Sequence, residues 1–192
     1  KLLKTAKYKL MEYRKRLNEE LNRLSPEEYK KAEKLPIVVV LDNVRSLNNI
    51  GSVFRTSDAF RLEKIYLCGI TATPPHREIH KTALGAEESV AWEYFEETIE
   101  AIRKLKTEGF TIVTVEQTEN SLSLEDYAIE KTRKYAFIFG NEVKGVQQNV
   151  VNLSDLCLEI PQFGTKHSFN ISVSAGIVLW EVIHPLFKEL KK

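Results

Sequence analysis

Apolar residues recur along this chain with two different periods. Residues 37–41 form a continuous run of aliphatic, mostly β-branched side chains, the pattern of a strand buried on both faces. Residues 64–68, 90–94, 111–115 and 135–139 are further short runs rich in β-branched and aromatic residues, 156–160 is a short, mostly apolar run, and each predicts a strand. Helical spacing appears between them over 49–60 and 96–108, the latter stopped by Gly109 as a C-terminal cap, and again over 170–190. Strands separated by helices in this rhythm predict an α/β layer fold with a mainly parallel sheet flanked by helices.

The N-terminal segment has a different pattern. Leu3, Leu10, Leu17, Leu21 and Leu24 stand at helical spacing among lysines and arginines, predicting an amphipathic helix over 2–24. Ser25-Pro26-Glu27-Glu28 is a capping box with proline at the first helical position, so a second short helix starts there, and Pro36 ends it. The expected organisation is a basic helical N-terminal extension, 1–35, followed by the main domain, 36–192. The last helix carries two apolar stripes. Ile171, Ala175, Val178 and Val182 form one; Val173, Ile177, Trp180 and Phe187 form another. A helix apolar on most of its circumference needs cover on more than one side. The sheet supplies one cover and a second subunit the other, so a homodimer is expected.

A chain of 192 residues suits one domain with an appendage. At this size about 70% of the surface is buried on folding, so no disulfide or metal staple is required. Lysine and arginine total 28 against 27 acidic residues, and bulk charge therefore points to no partner. Its distribution does: residues 1–34 hold 11 basic and 6 acidic residues, net +5, which leaves −4 for the remainder. An anionic partner meets the N-terminal segment first. The N-terminus has no apolar secretory core, and the longest apolar run, 171–180, is too short and Ser/Gly-rich to span a bilayer. A cytoplasmic protein is expected. Cys68 and Cys157 are far apart, lack companions at ligand spacing, and sit in apolar runs, where a buried structural thiol is the expected state.

Ligands of open α/β sheets bind beyond the carboxyl ends of the strands, and three segments there are chemically unusual. The first, 42–56, concentrates amides, hydroxyls, Arg45 and Arg55 around Gly51 at a helix N-terminus. That composition suits phosphate, and a capped, solvated loop is the alternative. The second, Phe139-Gly140-Asn141-Glu142-Val143-Lys144-Gly145-Val146, follows a buried strand. Val146-Gln147 stands where a P-loop requires Lys-Ser/Thr, and no GxGxxG dinucleotide turn occurs in the chain. Gly140 either admits close approach of a ligand or simply makes the turn. Glu142, the only acid in this loop, is a candidate for orienting a neighbour. The third segment runs from 160 to 172, and Ser168 or Asn170 can cap the final helix. His167 lies in it, with a ligand contact and a plain loop role equally open. His76 and His80 are four apart but have no third ligand near them in sequence, so no metal site is expected.

Taken together, the three segments resemble the motifs of the SpoU/TrmH family of RNA ribose 2′-O-methyltransferases, within the SPOUT superfamily. NNIGSVFRTSDAF resembles motif one, FIFGNEVKGV motif two and IPQFGTKHSFNISVSAG motif three. The likeness runs from about residue 37 to 182, with the motifs in order and near the family's separations. Arg61 stands where the family commonly has glycine, and Phe169 where leucine is common. The resemblance implies a C-terminal trefoil knot in the sheet, bound S-adenosylmethionine, an RNA substrate, and a dimer in which both subunits build each site. It implies that Phe139, Gly140, Asn141, Ile160 and Gly164 cradle the cofactor, with Ser168 and Asn170 beside it on the RNA-facing side. Arg55 then matches the catalytic arginine, Asn49 the motif-one asparagine and Glu142 the motif-two glutamate, and Ser168 and Asn170 join the catalytic set.

Methyl transfer to a ribose hydroxyl needs that oxygen in line with the sulfonium methyl, so positioning supplies much of the acceleration. A forked, permanently charged guanidinium at Arg55 suits the task of holding a phosphate and stabilising a developing alkoxide. The substrate expected from the resemblance is tRNA or rRNA. The lack of an added RNA-binding domain favours tRNA, with segment 1–34 supplying phosphate contacts. Two rival readings differ in class. A non-catalytic RNA-binding or assembly factor fits the basic segment, and a nucleotide-binding oxidoreductase fits the α/β rhythm without its glycine fingerprint.

Overall fold

The computed structural model describes residues 13–187. Seven strands are present: β1 (Leu35–Asp42), β2 (Leu62–Cys68), β3 (Trp92–Phe95), β4 (Phe110–Val115), β5 (Leu122–Ser123), β6 (Lys134–Phe139) and β7 (Leu156–Glu159). They form one sheet in the order β3-β2-β1-β6-β4-β7-β5, and every pairing is parallel. The helices are α1 (Pro26–Lys31), α2 (Leu47–Ala59), α3 (Arg77–Ala83), α4 (Ala86–Ser89), α5 (Thr98–Thr107), α6 (Gln148–Val151) and α7 (Ile171–Ile183).

The period-two alternation of β1 explains the layering. Ile37, Val39 and Leu41 enter the core built with α2, α3 and α7, while Val38 and Val40 enter the one built with α5 and α6. Each such side chain, fully buried, contributes on the order of 1.5–3 kcal/mol. The sheet is therefore sandwiched between two helical layers, as the strand–helix rhythm predicts. Strand order sets the site. From β1 the chain moves outward through β2 to β3, then restarts beyond the centre, and β6 returns between β1 and β4. Such a reversal opens a crevice at the strands' carboxyl ends.

Several expectations need correction. Residues 13–24 hold a single 3-10 turn, Asn18–Leu21, in place of the predicted amphipathic helix; residues 2–12 of that helix lie outside the described residues. Leu17 and Leu24 are exposed, and without a surface to bury its leucines a short helix does not recover its ordering entropy. The capping box does form: Ser25 Oγ accepts from Glu28 N at 3.2 Å, and Glu28 Oε2 from Ser25 N at 2.8 Å. The helix it starts ends at Lys31, and Pro36 is the second residue of β1. The final helix stops at Ile183 and passes into a 3-10 turn, His184–Leu186, where Pro185 lacks an N–H to continue the ladder; residues 188–190 of its predicted span lie outside the described residues. The short elements α3, α4, β5 and α6 have no counterpart in the periodic reading.

The inner stripe of α7, Ile171, Ala175, Val178 and Val182, is buried as expected, while Val173 is 48% and Trp180 54% exposed. Cys68 is buried and its thiol is pushed up to about 12, chiefly by burial, with Thr98 opposing and Asp42 adding. Cys157 is only half-buried. Among the described residues no helix is long and apolar enough to cross a membrane.

Candidate active site

The carboxyl ends of β4, β6 and β7 open onto a cleft of about 700 Å³, walled by the loops that follow them. Its apolar floor includes Phe139, Leu158 and Ile171, and its polar rim includes Glu116, Gln117, Asn141, Glu142, Ser168 and Asn170. Of the residues expected to hold a cofactor, Phe139, Gly140, Asn141, Ile160, Ser168 and Asn170 line this cleft. Gly164 is exposed and does not.

The loop after β6 is a closed turn. Asn141 N donates to Gly145 O at 3.0 Å and Gly145 N to Asn141 O at 2.9 Å. The Asn141 side chain accepts from Val143 N and Lys144 N and donates to Asn43 O at 2.7 Å. A Cβ on Gly140 would strike the backbone of Gly145 and Val146. Gly140 is therefore glycine because the turn folds onto it, which decides between the two roles open at the sequence level. Gly145 has φ +67°, and a Cβ there would strike the Glu116 carboxylate, which accepts from Val146 N at 3.0 Å.

The loop delivers Glu142 to the start of α2. Its carboxylate accepts from Arg45 N at 3.1 Å, Ser46 N at 3.0 Å and Asn49 Nδ2 at 3.1 Å. Partial burial alone would raise its pKa; the donors from Arg45, Ser46 and Asn49 outweigh that, and the carboxyl sits below its ordinary value. Asn49, itself buried, uses its Oδ1 to accept from Asn170 Nδ2 at 3.1 Å. Asn170 Oδ1 in turn caps α7, accepting from Ser172 N at 2.9 Å and Ser172 Oγ at 2.7 Å. One hydrogen-bonded chain, Glu142–Asn49–Asn170, thus ties the start of α2 to two later loops, each more than ninety residues further along the chain.

Arg55 is not part of that chain. It lies six residues beyond Asn49 on α2, about 120° around the helix axis, exposed and outside the cleft lining. Its guanidinium makes no hydrogen bond or ion pair among the described residues. Ser168 lines the cleft, exposed, and His167 is held there by its carbonyl, which accepts from Gln117 Nε2 at 2.7 Å. His76 is elsewhere, capping α3 through Nδ1, which accepts from Glu78 N at 3.1 Å.

Two residues that shape the cleft, Glu116 and Gln117, were not singled out by the sequence, and Asp42 entered only as the first residue of the segment 42–56. Glu116 and Gln117 follow β4 directly and brace the second and third loops; an acid–amide pair at a strand's carboxyl end was a usable signal. Asp42 is fully buried at the end of β1 and accepts from Thr98 Oγ1 at 2.6 Å, Gln147 N at 2.9 Å and Gln147 Nε2 at 2.9 Å. A lone acid ending a β-branched run marked it.

An AdoMet-sized ligand fits what these residues offer. The cleft joins apolar side chains to amide and hydroxyl groups. Residues 163–169 are exposed, and among the described residues their backbone N–H groups donate to no backbone carbonyl, so solvent or a ligand can accept from them.

The fold is an all-parallel α/β sheet whose cleft lies at the strands' carboxyl ends, with neither a P-loop nor a dinucleotide fingerprint at its glycine turn. Residues 36–180 match the SpoU rRNA Methylase family, and the chain belongs to it. A tRNA (guanosine(18)-2′-O)-methyltransferase of Thermus thermophilus is 29% identical over 168 residues, covering 88% of this chain and 80% of that one. The 23S rRNA (guanosine-2′-O-)-methyltransferase RlmB of Neisseria meningitidis is 30% identical over 76% of this chain but only 57% of its own length. An AdoMet-bound rRNA methyltransferase of Sinorhizobium meliloti superposes with a TM-score of 0.74 at 26% identity, over 85% of this chain and 62% of that one. The Aquifex aeolicus TrmH/SpoU tRNA modifying enzyme gives the same TM-score at 23% identity, over 85% and 83%.

Proposed function

We propose that this chain transfers a methyl group from S-adenosylmethionine to a ribose 2′-hydroxyl of RNA, with tRNA the favoured substrate over rRNA. The observation that carries the reading is the Glu142–Asn49–Asn170 hydrogen-bond chain, which joins all three motif segments beside the cleft that Glu142 and Asn170 line. The preference for tRNA is supported by relatives named tRNA (guanosine(18)-2′-O)-methyltransferase, in Thermus thermophilus and in Aquifex aeolicus.

When bound, the cofactor supplies a sulfonium methyl as the electrophile. The chain's own residues do the rest. Phe139, Asn141, Ile160, Ser168 and Asn170 shape the cleft and fix the reacting geometry, which is the larger part of the acceleration for an in-line displacement. The carboxylate of Glu142 fixes the start of α2 and with it the side chain of Asn49. Arg55 holds an RNA phosphate and the ribose and stabilises negative charge developing on the 2′-oxygen, whose proton leaves to solvent as the C–O bond forms and the methyl–sulfur bond breaks.

Arg55 points to a second copy of the chain. Among the described residues it has no hydrogen-bond or ion-pair partner and lies outside the cleft lining, while Val173 and Trp180 leave an apolar stripe of α7 exposed. A homodimer that buries this stripe and brings Arg55 of the partner subunit to the cleft explains both. The placement of β6 between β1 and β4, with loops 140–147 and 160–170 side by side, supports a threaded, knotted chain in this region. Residues 1–24 of the basic segment serve as phosphate contacts, while 25–35 pack Tyr29 and Leu35 into the main core.

The test is label transfer from S-adenosylmethionine to total tRNA and, separately, to ribosomal RNA, with nuclease mapping of the product. A 2′-O-methyl nucleotide in the tRNA pool, absent with Arg55→Ala, is the expected result. Cofactor binding without label in either pool would favour the non-catalytic RNA-binding reading.

A further inference from the structure

We propose that His80, Glu87 and Glu88 form a binding site for a divalent cation of the zinc, cobalt or nickel type, remote from the methyl-transfer cleft. The sequence offers His76 and His80 as a pair without a third ligand, but the fold supplies different companions. After α3 the chain reverses through two left-handed residues, Leu84 at φ 53° and Gly85 at φ 90°, and enters α4. That turn brings Glu87 and Glu88 to His80, with one ligand atom of each within 4.8 Å of the others. The three stand in a pocket of about 450 Å³ that Pro74, Pro75 and Trp92 also line.

The second observation is the state of Glu87. Its side chain is only 7% exposed; Oε1 lies 2.5 Å from His80 Nδ1, while Oε2 is sealed from solvent and has no hydrogen-bond partner among the described residues. Leaving a carboxylate oxygen buried and unpaired is costly, and a cation seated against this carboxylate satisfies it. His80, 63% exposed, can move to admit the ion. Metal–nitrogen and metal–oxygen bonds near 2.0–2.2 Å at tetrahedral angles need ligand atoms about 3.3 Å apart, so the His80–Glu87 pair opens by less than 1 Å. One neutral imidazole and two carboxylates balance a dication, and water completes the shell. His76 is not a ligand, because its Nδ1 is spent on capping α3.

The ion would pin α3 to α4 across the left-handed turn. α3 backs directly onto α2: a Cβ on Gly51 would strike Thr82, and Thr82 Oγ1 donates to Asn48 O at 3.0 Å. The site is thus a staple behind the helix that carries Asn49, and its role is structural.

The test uses the full chain, tag-free and stripped with chelator, titrated calorimetrically with ZnCl2. One equivalent binding in the micromolar range, weakened at least tenfold by His80→Ala and by Glu88→Gln but not by His76→Ala, is expected. Zinc should also raise the thermal midpoint of the wild type and not that of His80→Ala, and both substituted side chains are exposed, so the variants fold. No saturable binding, or binding indifferent to His80→Ala, would overturn the proposal. Either result leaves the methyltransferase reading untouched, since that is scored by label transfer.

Discussion

Glu142 is the residue on which the site turns. Its carboxylate spans two backbone donors and one side-chain amide of the α2 start, and hydrogen bonds to a charged acceptor are each worth about 1.5–3 kcal/mol when buried, less at this half-exposed position. Glu142→Gln keeps one carbonyl oxygen and replaces an acceptor by a donor facing Arg45 N or Ser46 N. Cofactor affinity should fall about tenfold, measured by calorimetry, with a loss of about 1 kcal/mol in denaturant unfolding. The pH behaviour follows in sign. A carboxyl held below its ordinary value of 4.5 stabilises the fold fully above that value and loses its contribution as pH falls through the lower, folded value. Affinity should therefore be insensitive to this group from neutrality down to its ordinary value of 4.5 and decline only below it. At Gly145, φ +67° and the Glu116 carboxylate both oppose a side chain. Gly145→Ala should lower stability by about 1–3 kcal/mol in thermal or denaturant melts, and an unchanged melt would refute the packing argument. At this scale the sequence was informative about which residues matter, because amides and hydroxyls at a strand's carboxyl end have few structural excuses. It was silent on pairings: nothing in the spacing of Asn49, Glu142 and Asn170 says that they touch, since the contact exists only once the sheet order is fixed.

Elements were legible in proportion to their burial. The continuous runs of β1 and β6 and the amphipathic α5 carry their own periodicity, and their observed bounds depart from the pattern by one or two residues, within ordinary fraying. α3, α4 and α6 have seven residues or fewer and show too few turns for a period to emerge. The amphipathic spacing of 13–24 failed for the opposite reason: the period is present, but among the described residues no surface buries Leu17, Leu21 or Leu24. Tyr29 of α1 nonetheless sits in the main core, so a truncation that leaves the domain intact must end before Ser25. Removing 1–24 should weaken RNA binding and flatten its dependence on salt while leaving cofactor affinity unchanged; binding curves at several salt concentrations check this. The outer stripe of α7 makes its own prediction. Trp180→Glu should convert a dimer into a monomer by sedimentation, at little cost to the monomer because the side chain is half exposed.

For the whole molecule, the fold class was readable from the alternation of strands and helices, and the family from three motifs in order. The strand order was not, because β6 inserts between β1 and β4 and no local signal specifies that return. The same insertion gathers the three loops, so the site's existence is a property of topology rather than of any segment. What one chain does not assemble is the juxtaposition of Arg55 with the cleft. The account therefore rests on two chains sharing each site, and subunit complementation measures that directly. Arg55→Ala retains a sound cleft and Asn170→Ala a sound arginine, and each alone should be inactive in label transfer. Co-expressed and co-purified, they should recover about a quarter of wild-type activity, because half the dimers are mixed and each mixed dimer holds one intact site of two. Mixed dimers without activity, beside an active wild type, would place Arg55 and the cleft of a single chain in the same site and contradict the account.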